Sequence, residues 1–295
     1  MTADRPVLGI MLMLGFCALA PLGDALAKLL GETIPLVQLL LTRFGVQALI
    51  LVPLALLTSR SMYMSRRLFK LTVLRTVLHI IGIGAMFTSL RFLPLAEAVA
   101  IAFVMPFIML LLGRYVLNEV VGPRRMIACA VGFIGTLFVV QPTFAAVGAP
   151  ALLPLLVAVV FALFMLVTRQ TAKETDPIAL QAVSGIVASI ILGIGYMIAP
   201  SSMAIFNVVT PSGAEIPLLA TIGVVGTVAH LLMVWSLRYA PSATVAPMQY
   251  LEIPIATGIG YLFFKDLPNG LALIGICITI AAGLYVVYRE HRPAA

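Results

Sequence analysis

Hydrophobic residues run along this chain in long blocks separated by short polar punctuation. A helix that crosses a bilayer needs about 20 mostly apolar residues. Ten blocks meet that measure: 7–28, 35–57, 70–90, 95–116, 124–141, 152–169, 177–199, 216–237, 243–263 and 268–288. Several are interrupted by Pro or Gly. The connections are short, and none is long enough for a soluble domain. The longest, Pro200 to Glu215, holds Pro, Ser, Asn and Gly and reads as a surface loop. The pattern predicts an all-α polytopic membrane protein of ten transmembrane helices. The first block mimics a signal peptide, with Arg5, an apolar run and Ala18-Leu19-Ala20. It continues past that point to about Leu30 with Asp24 inside it, so it reads as a retained span.

Composition agrees. The chain has 295 residues, 62% hydrophobic and 10% charged, with a mean hydropathy of +1.15. Soluble domains carry about 25% charge. The net charge of +7 does not point to nucleic acid, because the basic residues sit in short loops between spans. With the N-terminus placed in the cytoplasm, one side carries fourteen Lys and Arg. They are Arg5, Arg60, Arg66, Arg67, Lys70, Arg75, Arg114, Arg124, Arg125, Arg169, Lys173, Arg238, Arg289 and Arg292. The other side carries Lys28, Arg91 and Lys265, and Arg43 falls within the membrane. The bias predicts cytoplasmic termini in a bacterial inner membrane.

The chain also repeats itself. Ser89-Leu90-Arg91-Phe92-Leu93-Pro94 recurs 147 residues later as Ser236-Leu237-Arg238-Tyr239-Ala240-Pro241. The same shift maps Gly113 onto Gly260, Asn118-Glu119 onto Lys265-Asp266, and Phe138-Val139-Val140 onto Tyr285-Val286-Val287. Two halves, 1–145 and 146–295, each hold five spans. Five is odd, so the second half is expected upside down relative to the first. Such inverted repeats place a solute site at the midplane between halves.

The stretch SLRFLPLAEAVAIAFVMPFIMLLLGRYVLNE, followed by GPRRMIACAVGFIGTLFVV, resembles the drug/metabolite transporter superfamily, in its ten-helix EamA-type branch. The shared pattern is a Leu-x-aromatic turn, a small-residue run, a Pro in mid-helix, an acidic residue at the helix end and a Gly-rich helix. The second copy, from Ser236 to Arg289, fits as well. The resemblance implies a central cavity walled by both halves and secondary transport of small organic solutes. Pro254 departs from the register of Pro106 by one position.

Few polar residues lie deep. The costliest is Glu252, inside APMQYLEIPIATGIGYLFFKD. A charge at the bilayer centre costs about 2.5–3.5 kcal/mol on insertion scales. It persists where it faces a cavity, finds a partner or carries a proton. Gln249 shares its helical face, and Pro247 and Pro254 bracket the pair. Prolines free backbone carbonyls, which membrane proteins tolerate where the backbone lines protein or water. The segment therefore reads as a cavity wall; the plain alternative is a Glu bonded to a neighbouring helix. Arg43 cannot shed its proton and needs an anion, with Glu252 the first choice and Asp24 the rival. Arg43, Glu252 and Gln249 are expected to share one site. Tyr250 would add an aromatic wall, alongside Phe103. His79 and His230 lie near the midplane. Asp24 and Lys28 are four apart and form either a plain helical pair or a gate. Glu97, in the first turn of its helix and near Arg91, reads as structural.

The three His have no metal-ligand spacing, the three Cys form no CxxC, and no nucleotide loop occurs. No metal, cofactor or nucleic-acid partner is implied. An embedded enzyme and a structural or receptor-like membrane protein are the competing readings. The expected solute is an amino acid, its derivative or a vitamin such as riboflavin. Proton coupling would run through Glu252. Monomer and homodimer both fit the sequence.

Overall fold

The computed structural model describes residues 5–116, 123–200 and 202–290. The Asn118-Glu119 landmark, His291 and Arg292 lie outside them. Among the described residues the regular structure is all helical, in twelve α-helices and short 3-10 turns. The helices are α1 (Pro6–Leu30), α2 (Leu36–Leu57), α3 (Arg66–Ser89), α4 (Leu95–Ala102), α5 (Met105–Val116), α6 (Pro123–Val147), α7 (Leu153–Glu174), α8 (Pro177–Ile198), α9 (Glu215–Tyr239), α10 (Ser242–Val245), α11 (Glu252–Phe264) and α12 (Gly270–Glu290). Eight stretches are long and apolar enough to cross a membrane, with Leu95–Val116 counted as one, and Gly270–Ala282 is a shorter apolar helix. This is a multi-pass membrane protein.

Local chemistry sets the boundaries. Ser65 caps α3 by accepting from the Leu68 N–H, and Asp176 caps α8 by accepting from Ile178 and Ala179. Lys265, in the left-handed region at φ 59°, ends α11. Two blocks read as single spans are broken. The 95–116 block splits at Phe103-Val104. Pro106 offers no N–H to the Ala102 carbonyl and its ring crowds it, so the ladder cannot run through. The 243–263 block splits into α10, a 3-10 stretch over Ala246–Leu251, and α11. There Pro254 offers no N–H to the Tyr250 carbonyl. The prolines are out of register between halves, yet the breaks are not: α5 starts at Met105 and α11 at Glu252, 147 residues apart. The starts of α1 and α7, α4 and α10, and α6 and α12 are separated by the same interval.

Packing pairs the two halves. α1 lies along α9, α3 along α7, α2 along α8, and α6 along α12. Phe103 meets Tyr250, its counterpart at the 147 interval, with ring centroids 5.4 Å apart. Thr279 Oγ1 donates to the carbonyl of its own counterpart, Gly132, at 3.4 Å. The α6–α12 crossing is close. A Cβ on Gly275 would lie 2.4 Å from the Gly135 carbonyl oxygen.

The bundle has two polar faces. One is arginine-rich: Arg67 Nη1 bonds Glu174 at 2.8 Å, Arg60 pairs with Asp176, and Arg238 donates to the Thr175 carbonyl at 2.9 Å. The opposite face carries the Lys28–Asp266 pair at 2.9 Å, Arg91 donating to the Ile34 carbonyl at 3.2 Å, and Gln38 bonded to Val209. Beneath the arginine-rich face a buried cluster holds six methionines: Met13, Met105, Met109, Met165, Met233 and Met248.

Candidate functional site

Between the two polar faces lies a cavity. Its walls come from both halves: α1, α2, α3, α4 and α5 on one side, α7, α9 and the 3-10/α11 junction on the other. Most lining is apolar or aromatic, including Phe16, Phe87, Phe103 and Phe161. The lining residues of α3 (Ile83, Met86, Phe87) and α7 (Val157, Ala158, Phe161) fall in the half of each helix farther from the arginine-rich face. The methionine cluster fills the bundle on the other side.

Five expected residues reach this cavity: Asp24, Arg43, His230, Gln249 and Glu252. Glu252 opens α11 directly after the 3-10 stretch, so the helix break aims it inward. Its carboxylate is half-buried and accepts no hydrogen bond among the described residues, and neither does that of Asp24. Gln249 is buried and its Oε1 lacks a partner.

The expected Arg43–Glu252 ion pair does not form, and Arg43 does not pair with Asp24 either. Arg43 Nη2 lies 2.9 Å from His230 Nδ1. When Arg43 donates there, the ring proton sits on Nε2, which is buried without a partner. Nη1 of Arg43 is likewise unpartnered. The guanidinium passes flat against α9 at Gly226, where a Cβ would lie 2.8 Å from Nε. That glycine is needed for the approach. Asp24 remains within electrostatic reach of both Arg43 and Glu252.

Two expected residues stand behind the wall. His79 packs against His230 (4.4 Å between centroids) and Phe164 (4.5 Å), with neither ring nitrogen partnered. Tyr250 is buried against Phe103, which takes the aromatic place at the cavity. Asp24 does not pair with Lys28 one turn along. Lys28 Nζ instead reaches Asp266 at 2.9 Å and the Leu93 carbonyl at 3.2 Å, which leaves Asp24 to the cavity. Glu97 accepts from Thr143 Oγ1 at 2.7 Å rather than pairing with Arg91. Lys28 and Asp266 are 18% and 37% exposed. Exposed pairs contribute about 0–1 kcal/mol, so Asp266→Asn is expected to lower the melting temperature by no more than a few degrees. A larger loss would show that this contact holds the two halves together.

One residue lies elsewhere than the charge count put it. Arg75, counted among the cytoplasmic charges, is fully buried in α3. Its face was visible in the sequence, since Thr72, Arg75, Thr76 and His79 follow one helical stripe.

The cavity and its helical walls describe a membrane transporter. A model of the EamA-like transporter family matches residues 7–141 and 149–289. The chain belongs to this family. It is 29% identical to a riboflavin transporter of Rhizobium johnstonii, over 75% of this chain and 72% of the relative. It is 24% identical to an S-adenosylmethionine uptake transporter of Rickettsia prowazekii, over 92% and 89%. A pseudopaline exporter of Pseudomonas aeruginosa shares 23% identity over 88% of each chain. One crystal structure superposes with a TM-score of 0.69 over 98% of both chains at 18% identity, a likeness of fold alone.

Proposed function

We propose that this chain carries a small organic metabolite across the bacterial inner membrane by alternating access. In this reading it has ten spans. The broken 95–116 and 243–263 segments each count as one, and α12 is the last. Residues 1–145 and 146–295 form two inverted five-helix halves, and both termini are cytoplasmic. The shared 147-residue interval of the helix starts supports the repeat. The positive charge on the arginine-rich face supports the orientation. The observation that carries the reading is the cavity itself. It is walled by both halves, and two carboxylates and a Gln oxygen face it without hydrogen-bond partners among the described residues. Arg43, Glu252, Gln249, Asp24 and His230 are its polar contacts. His79 and Tyr250 support them from behind. Aromatic walls with sparse polar groups suit amino acids, their derivatives and flat ring systems.

Purified protein in liposomes tests this by counterflow of riboflavin, S-adenosylmethionine and a panel of amino acids. At least one is expected to accumulate saturably above protein-free liposomes. Failure of every one would overturn the reading. Proton coupling is a second reading, favoured because no cation among the described residues lies within ion-pair distance of Glu252. Uptake indifferent to an imposed pH gradient would remove coupling and leave transport standing.

A further inference from the structure

Arg75 is the buried charge that the cavity does not use. Its guanidinium is satisfied only by neutral oxygens: Thr168 Oγ1 at 2.8 Å, Ser184 Oγ at 2.7 Å and Gln181 Oε1 at 2.8 Å. It also lies over the Phe164 ring, 4.7 Å from the centroid. Among the described residues no carboxylate pairs with it. A buried charge without a counter-charge is costly, and Arg cannot lose its proton to escape. Nearby, Gln181 Nε2 and both nitrogens of His79, one turn along α3, are buried without partners. Apolar side chains of similar volume are often as stabilising in such a place, or more so.

The repeat suggests what the charge is for. At the 147 interval Arg75 corresponds to Ile222, His79 to Gly226, Gly82 to Ala229 and Ile83 to His230. Ile222, Gly226, Ala229 and His230 are the stripe of α9 that lines the cavity. Transporters with inverted repeats reach their second state when the halves exchange conformations. The stripe of α3 from Arg75 to Ile83 would then line the opposite cavity, below the present one and open to the arginine-rich face. Its α9 counterpart is apolar at the Arg75 position. Asp24, which lines the present cavity, corresponds to Thr171, so the opposite cavity exchanges a carboxylate for a hydroxyl.

We propose that Arg75 is a second solute station, hidden in this conformation, that takes an oxyanion of the solute once the bundle opens on the arginine-rich side. The proposal rests on the transport reading above. The solute would meet the carboxylates Asp24 and Glu252 together with the Arg43 guanidinium in one state, and the Arg75 guanidinium in the other. Each state would grip a different end of it.

The test uses the full chain in membranes with Cys17, Cys129 and Cys277 replaced by Ala. One reporter is Thr171→Cys, which Thr171 permits because its hydroxyl bonds only within α7. The other is Ala20→Cys in the present cavity. Each is exposed from either face to membrane-impermeant methanethiosulfonates, one bearing a sulfonate and one a trimethylammonium. Thr171→Cys is expected to react from the arginine-rich face, with the sulfonate reagent faster by about tenfold through the local positive field. Arg75→Gln should abolish that preference and Arg75→Lys should keep it. Ala20→Cys should react from the opposite face and favour the cation. Should Arg75→Gln fail to fold, Arg75→Met, which fills similar space without a charge, supplies the same comparison. Equal rates for the two reagents, or a silent Thr171→Cys beside a reactive Ala20→Cys and active counterflow, would overturn the station and leave transport intact. Inert reporters without counterflow would remove both.

Discussion

Glu252→Gln is expected to lower solute transport at least tenfold while leaving the folded yield unchanged. The carboxylate accepts no hydrogen bond from the protein among the described residues, so its loss breaks no internal contact. What it loses falls on the solute. A hydrogen bond to a charged group is worth about 1.5–3 kcal/mol, roughly 10- to 100-fold in affinity. Gln keeps the shape and can still donate or accept, which separates charge from packing. Counterflow rates, set beside melting temperature in detergent, give the comparison. Normal transport by Glu252→Gln would make Glu252 a bystander, and a collapsed melting temperature would make it structural.

The largest effect on folding is expected at Gly275. The α6–α12 crossing has no room for a side chain there: a Cβ meets the Gly135 carbonyl at 2.4 Å, Val139 at 2.9 Å and Phe138 at 3.0 Å. Because the first obstacle is backbone, a rotamer change cannot relieve it. Overpacked cores lose about 1–3 kcal/mol when side chains can yield, and Gly275→Leu should exceed that range. Loss of monodisperse protein on size exclusion is the expected readout. Gly258→Leu is the control, since nothing lies within 4 Å of its Cβ. If Gly275→Leu behaves like Gly258→Leu, α6 and α12 are not held as closely as described.

That contrast shows what the chain discloses about itself. Apolar block length located the membrane helices because hydropathy is a local property. The cavity carboxylate at 252 was legible for the same reason: a charge in an apolar run is costly wherever its helix packs. Partner choice was not legible. Arg43 turns to His230, Lys28 to Asp266 and Glu97 to Thr143, and each choice depends on how helices far apart in sequence are rotated against one another. Arg75 was misplaced because it stands only nine residues into α3, close enough to Arg66 and Arg67 to pass for a loop charge. Its burial is decided by α7 and α8, which supply Thr168, Gln181 and Ser184.

The methionine cluster beneath the arginine-rich face has a practical consequence. Of the fourteen methionines in the chain, six meet in that cluster, contributed by α1, α5, α7, α9 and the 3-10 stretch. These are the segments that must part if solute is to leave on that side. Thioether side chains repack readily because they are unbranched and polarizable. Each also ends in a methyl group that can carry ¹³C without altering the sequence. Their resonances form a reporter set at the closing surface, able to register exchange on the microsecond-to-millisecond scale in protein that bears no engineered probe.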